Sequence, residues 1–280
     1  MEANLIIAAD KLVALALEED IKSGDITTEL LIPQEAEINA FILAKEDGIV
    51  AGLPVAEMVF KSLNNSTQWL PEVKDGSKVI SKTVLARIKG SHRAILTGER
   101  TVLNFLQRMS GIATLTSKYV EALTGYKTRI LDTRKTLPAH RLLDKYAVKM
   151  GGGTNHRIGL YDMVMIKDNH IKVAGGISNA VNQIRANIEP GIKIEVETSN
   201  LAEVKEAIDC KADIIMLDNM TTEMMREAIE LIGNKAKSEA SGSIKIDRLK
   251  EIADTGVDFI SIGALTHSVN ALDIGLYIGD

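Results

Sequence analysis

Six short apolar runs of β-type composition recur through the second half of the chain, at 128–131, 163–166, 192–196, 214–217, 243–246 or the segment just before it, and 259–262. Stretches with helical spacing of apolar residues fall between the later runs, at 179–187, 201–210, 223–232 and 247–254. A parallel strand pair needs a crossover rather than a tight turn, so strand, helix, strand at short spacing predicts parallel strands with right-handed crossovers. Asn200 and Thr222 mark two helix starts, because such short polar side chains accept hydrogen bonds from the unpaired amides of a first turn. This alternation makes the second half α/β, of the kind that closes toward an α/β barrel.

The first half lacks that rhythm. Leu5, Ala8, Ala9, Leu12, Val13, Ala16 and Leu17 recur at helical spacing, and Ser23-Gly24-Asp25 ends the helix they predict. Ile38, Ala40, Ile42 and Ala44 alternate as in a strand, a short helix follows at 54–61, and extended pieces lie near Val79 and at 84–88. The first ninety residues read as a mixed α+β unit. A long helical pattern then runs over 95–119, with Ser110-Gly111 as a candidate break. Arg100, Asn104 and Arg108 share one face of it, a spacing that by itself suits solvated arginines.

The residues just after each β-type run carry the functional signal. Asp132, Arg134 and Lys135 follow the first run, Lys167 and Asp168 the second, Glu197 the third, and Asp218 and Asn219 the fourth; Ser241 and Gly242 lie near the fifth, and Gly263 follows the sixth. Polar residues at the carboxyl ends of successive parallel strands converge on one mouth, where α/β barrels build their active sites.

That mouth divides by charge. Counting Lys and Arg, the stretch 132–170 has seven cations against four aspartates, +3 in a chain of net charge −5. It also holds Gly151-Gly152-Gly153, which reads as backbone brought close to an anionic small molecule. A pI near 5.7 excludes a nucleic-acid binder that relies on global charge. Arg134, Lys135, His156, Arg157 and Lys167 suit a polycarboxylate or a phosphate ester, since a guanidinium grips carboxylate oxygens two at a time. Glu197 and Asp218 offer the hard oxygen ligands that Mg²⁺ takes. Zn²⁺ is disfavoured, because the five histidines lack ligand spacing and no cysteine joins them. Cys210 is the single cysteine and reads as a structural thiol at a helix end, so no intrachain disulfide forms and a reducing cytoplasm is the simplest home. Neither a signal peptide nor an apolar membrane span is evident in the sequence.

Several motifs resemble those of the quinolinate phosphoribosyltransferase family, over nearly the full length. They include Gly24-Asp25-Ile26-Thr27, Gly98-Glu99-Arg100-Thr101, Asp132-Thr133-Arg134-Lys135-Thr136, Lys145-Tyr146-Ala147-Val148 and Asn155-His156-Arg157. Further along stand Ile166-Lys167-Asp168-Asn169-His170, Glu195-Val196-Glu197, Leu217-Asp218-Asn219, Glu239-Ala240-Ser241-Gly242 and Gly263-Ala264-Leu265-Thr266-His267-Ser268. The resemblance implies an open, incomplete α/β barrel (111–269) with an N-terminal α+β sandwich domain (1–110), residues 270–280 packing back onto the latter. It implies a homodimer and a Mg²⁺-dependent reaction of quinolinate with phosphoribosyl pyrophosphate, giving nicotinate mononucleotide, pyrophosphate and CO₂. Quinolinate would be held by Arg134, His156, Arg157 and Lys167, with Arg100 reaching in from the neighbouring subunit. Lys135, Glu197 and Asp218 would be catalytic and serve the Mg²⁺-diphosphate and ribose, while Ser241, Gly242, Gly263 and His267 would bind the 5-phosphate. One departure is Ser243, where the family usually shows a second glycine. Two other readings stand beside this one: a related phosphoribosyltransferase for another acid, and an idle barrel that binds a phosphorylated ligand. Arg100, Arg134, His156, Arg157 and Lys167 together argue against the first, and Lys135 with Glu197 and Asp218 against the second.

Overall fold

The computed structural model describes residues 2–279, which fall into two compact units. The first comprises the residues up to Ser117, Thr136–Gly152 and those from Leu265 on; the second comprises Lys118–Lys135 and Gly153–Ala264.

In the first unit a four-stranded antiparallel sheet runs in the order Ile274–Ile278, Glu37–Ala44, Val84–Ser91, Gln68–Pro71. Glu37–Ala44 alternates as its sequence dictates, burying Ala40, Ile42 and Ala44. The C-terminal strand pairs with it, Ala40 opposite Ile278 and Ala44 opposite Ile274. Helix Leu53–Leu63 buries Val55, Ala56, Val59 and Phe60. The amides of its N-cap Gly52 and first residue Leu53 are held from a distance: the Asp75 carboxylate accepts from Gly52 N at 2.9 Å and from Leu53 N at 3.0 Å. Helix Ala3–Ile21 buries only Leu5, Ala9 and Val13 of its apolar stripe.

Helix His92–Ala122 is continuous, so Ser110-Gly111 does not break it. The Ser110 hydroxyl accepts from Ala51 N at 3.0 Å, and a Cβ on Gly111 would collide with the Asn270 carbonyl. Small residues there serve close packing rather than a chain break. A second helix, Arg141–Met150, has no counterpart among the sequence expectations. Its buried face includes Asp144 and Lys145 beside Leu143, Ala147 and Val148, and these charges mask the apolar period.

The second unit holds the parallel strands: β1 (Arg129–Leu131), β2 (Val164–Ile166), β3 (Ile194–Thr198), β4 (Ile214–Asp218), β5 (Lys237–Ser241) and β6 (Phe259–Ser261). They form one six-stranded sheet in the order β1-β6-β5-β4-β3-β2. The first and last strands pair, while β1 and β2 are its two edges; the barrel is open between them. On that edge β1 has only an isolated parallel bridge, Leu131 to Thr154. Asn200 caps helix Leu201–Asp209 as expected, accepting from Glu203 N at 3.0 Å. For helix Thr222–Ile232 the cap is Thr221, one residue earlier than expected, and Thr222 is its first helical residue.

Strand β5 lies at Lys237–Ser241, the segment just before 243–246. It buries Ser238 and Glu239, so hydrophobicity does not reveal it. The Ser238 amide and hydroxyl both donate to the Asp258 carboxylate, each at 3.0 Å, which replaces apolar burial as the local tie.

Candidate active site

The carboxyl ends of β1 to β4 carry the charged residues that the sequence singles out. Period-two alternation places Glu197 on the same face of β3 as Glu195, and Ser241 on the same face of β5 as Glu239. Ser241 stands opposite Asp218 in the parallel register of β5 and β4.

Behind β1, the fully buried Asp132 carboxylate organises the next loop. It accepts from His156 N at 2.8 Å and from Asn155 Nδ2 at 2.6 Å. The ring of His156 then bridges two directions. Its Nδ1 accepts from Arg157 N at 2.8 Å, and its Nε2 stands 2.9 Å from Glu195 Oε2 and 3.3 Å from Glu239 Oε2. Both glutamates are fully buried. Burial and then the charge of Glu239 raise the Glu195 carboxyl well above its ordinary range. For His156, burial opposes a charge on the ring and the two carboxylates favour it; because Nδ1 is held as the acceptor of the Arg157 amide, the proton that the carboxylates retain is the one on Nε2.

Arg157 is half-buried and donates to the Met163 carbonyl at 3.1 Å. Burial and then the positive charge of nearby Arg134 hold its pKa below the ordinary arginine range. Such a pair is favourable when an anion lies between them. Lys167 is exposed, and its Nζ approaches Glu197 Oε2 at 3.3 Å, so the cationic and carboxylate parts of the mouth meet there. Lys135 is exposed, with its amide donating to Thr133 Oγ1 at 3.1 Å.

The turn after β5 is built for close approach of backbone. Gly242 has φ +108°, and a Cβ there would collide with Asn219 Oδ1. Ser243, exposed, also adopts a left-handed backbone at φ +43°. The Asn219 amide donates to Ser241 O at 3.0 Å, and its side chain donates to Asp218 Oδ2 at 2.7 Å. Glu197 and Asp218, each partly exposed, keep oxygen atoms suited to a hard divalent cation, so this donor set fits Mg²⁺.

Two expected site residues belong to the first unit. His267 is exposed, with Nδ1 2.7 Å from Ser268 Oγ. Arg100 is exposed and lines a cavity of about 380 Å³ with Leu12, Leu15, Glu19, Asp20 and Phe105. Arg108, eight residues on, is instead fastened to buried Asp144 by bonds of 3.1 and 2.7 Å.

The cationic stretch 132–170 is thus divided. Its ends, 132–135 and 153–170, belong to the second unit, and 136–152 to the first. Nor does the triple glycine serve as a ligand cradle at its first member: a Cβ on Gly151 would collide with the Ala113 carbonyl, so this glycine lets two helices approach. Glu195 and Glu239 had no role in the sequence reading. For Glu195 the signal is an acid on a mostly apolar strand, two positions before the mouth residue Glu197; Glu239 lies on a polar strand that carries no such signal.

Comparison with known proteins matches residues 25–110 to the quinolinate phosphoribosyl transferase N-terminal domain and 112–277 to its C-terminal domain. The chain is 46% identical over 285 residues to quinolinate phosphoribosyltransferase [decarboxylating] 1b of Nicotiana tabacum, covering 95% of this chain and 81% of that protein. It is 47% identical over 287 residues to the chloroplastic nicotinate-nucleotide pyrophosphorylase [carboxylating] of Oryza sativa subsp. japonica, covering 95% and 76%. Among solved structures, the nicotinate-nucleotide pyrophosphorylase of Francisella tularensis superposes with a TM-score of 0.93 at 43% identity, over 97% and 96% of the two chains.

Proposed function

Since the chain belongs to the quinolinate phosphoribosyltransferase family, we propose that the mouth of its open barrel is where quinolinate meets phosphoribosyl pyrophosphate. The enzyme is a nicotinate-nucleotide pyrophosphorylase (carboxylating), a pentosyltransferase of NAD biosynthesis that forms nicotinate mononucleotide, pyrophosphate and CO₂. The observation that carries the site assignment is the 3.3 Å approach of Lys167 to Glu197, which makes the cationic and carboxylate groups neighbours in one mouth.

Arg134, Arg157 and Lys167 hold the two carboxylates of quinolinate, with His156 behind them. Fixing a dianion this way sets its ring nitrogen in line with C1 of the ribose. The nitrogen–C1 bond forms as the bond from C1 to pyrophosphate breaks, and C1 becomes oxocarbenium-like. Carboxylates at Glu197 and Asp218 stabilise that positive charge. Lys135 answers the negative charge that grows on the leaving pyrophosphate. Loss of the carboxylate beside the alkylated nitrogen leaves an electron pair next to a positive ring nitrogen, and a proton then takes its place. Ser241, Gly242, Gly263 and His267 receive the 5-phosphate, Gly242 and Gly263 through backbone amides just beyond the ends of β5 and β6. Glu197 and Asp218 would hold Mg²⁺, which neutralises diphosphate charge when bound.

Arg100 completes the acid-binding side from the neighbouring subunit of a homodimer. Its exposure supports this role, as do the exposed apolar Ile26, Leu30 and Leu31 on helix Ile26–Leu31. No helix among the described residues is long and apolar enough to cross a membrane. A reducing cytoplasm suits Cys210, which is free.

The test is turnover of labelled quinolinate with phosphoribosyl pyrophosphate and Mg²⁺, following nicotinate mononucleotide and CO₂ together. Nicotinate in place of quinolinate is expected to give no product, and absence of CO₂ release from quinolinate would sink the reading. Mixing Arg100→Ala with Lys135→Ala subunits restores part of the activity if the site is shared. Failure to restore it after demonstrated subunit exchange refutes the shared site.

A further inference from the structure

Glu195 and Glu239 lie beneath the mouth, fully buried, on β3 and β5. His156 Nε2 stands at ion-pair distance from both, 2.9 and 3.3 Å, and no other donor among the described residues makes a hydrogen bond to any of their four carboxylate oxygens. Burying two carboxylates around one imidazole costs stability, and apolar side chains of similar volume would serve a barrel interior better. An arrangement that costs stability, placed behind a substrate-binding arginine, calls for a role at the site.

The contacts of His156 specify that role. Its backbone amide is tied to Asp132 and its Nδ1 accepts the Arg157 amide, so in this arrangement the ring proton lies on Nε2, toward the two glutamates. Both ring nitrogens are engaged inside the protein. His156 therefore bears on the acid through Arg157, whose backbone it fixes and whose guanidinium also donates to Met163 O.

We propose that Glu195 and Glu239 are positioning residues: they anchor the Nε2 edge of His156 so that its Nδ1 edge holds the Arg157 backbone, aiming the guanidinium at a carboxylate of the acid substrate. This rests on the reading that Arg157 grips quinolinate, and it extends that reading to two residues that never touch the substrate. Partners that orient a metal-ligating histidine change affinity or activity by about 10- to 100-fold, and an effect at the lower end of that range is expected for this metal-free arrangement.

Two measurements test it. In the first, Glu195→Gln and Glu239→Gln are compared with the unchanged enzyme in steady-state kinetics. The expected result is a KM for quinolinate raised roughly tenfold or more, with the KM for phosphoribosyl pyrophosphate within about twofold. Restoration of the quinolinate KM by Glu195→Asp or Glu239→Asp would add support. Unchanged constants in folded variants would overturn the proposal, and so would equal rises in both KM values. The second measurement is made on the unchanged enzyme and needs no substrate: nitrogen NMR with labelled histidine, the His156 signals being those that are lost in His156→Asn. An unprotonated Nδ1 and a protonated Nε2 are expected; a protonated Nδ1 would overturn the proposal. A shift of the His156 signals on adding Mg²⁺, Mn²⁺ or Zn²⁺ alone, with Nε2 losing its proton, would also overturn it by making the trio a metal site. Failure of the enzyme to turn over quinolinate would refute the functional reading while leaving the NMR result to stand by itself.

Discussion

Arg108 and Arg100 share a helix face, yet they should behave oppositely when removed. Arg108 makes a two-pronged contact with Asp144, 3.1 Å through Nε and 2.7 Å through an Nη, and also donates to Thr266 O at 3.2 Å. The Asp144 side chain is 0% exposed and that of Arg108 23%, so solvent screens this pair little. Arg108→Met leaves a buried carboxylate without its partner, a change that costs about 3–5 kcal/mol. At about 2–4 °C per kcal/mol for a domain of 150–250 residues, the melting temperature should fall by on the order of 10 °C. Replacing both groups, as Arg108→Met with Asp144→Leu, removes the orphaned charge. The double variant should therefore be more stable than the sum of the two singles implies, by roughly 2 kcal/mol. Urea denaturation of the four proteins gives this coupling. Additive losses, or a loss below about 1 kcal/mol for Arg108→Met, would refute the reasoning. Arg100→Met should leave stability within about 0.5 kcal/mol, since the side chain is exposed.

Ser243→Gly should raise stability by about 0.5–1 kcal/mol in denaturation, because Ser243 sits at φ +43°, and should not weaken phosphoribosyl pyrophosphate binding; a loss of stability would contradict that account. Gly111→Ala should destabilise by about 2 kcal/mol or more, as its Cβ would meet the Asn270 carbonyl, and a variant melting like the parent would show that the helix can shift at no cost. Burial raises the pKa of Asp75 above its usual 3.8 despite the bonds from Gly52, Tyr146 and Leu53. The folded state therefore binds that proton more tightly than the unfolded state. The stabilisation linked to it is complete below about pH 3.8 and is lost as pH rises through the higher folded value. Asp75→Asn removes this dependence, so a stability difference between the two proteins that grows in favour of the parent with rising pH would refute it.

The parallel sheet was legible because buried strands flanked by helices must carry short apolar runs, and β1 to β4, β6 and most crossover helices do. The elements that stayed hidden share one physical cause. Strand β5 buries Ser238 and Glu239, and helix Arg141–Met150 buries Asp144 and Lys145. Where polar groups take the place of apolar ones inside, periodicity fails, since their partners are far away in sequence: Asp258 for Ser238, Arg108 for Asp144. Ser110-Gly111 reads as a break for the same reason, because the Asn270 carbonyl that requires a small residue lies far along the chain.

Residue types and their order along the chain sufficed for the α/β class, the mouth at the strand ends and the cations and carboxylates gathered there, because these follow from period-two and helical spacing alone. Tertiary structure decided how those residues act. It buries Arg108 against Asp144 while leaving Arg100 exposed, assigns Gly151 to helix packing, and turns both nitrogens of His156 inward to Arg157 and two buried glutamates. Burial and pairing are properties of distances between residues remote in sequence, and only the folded chain sets those distances.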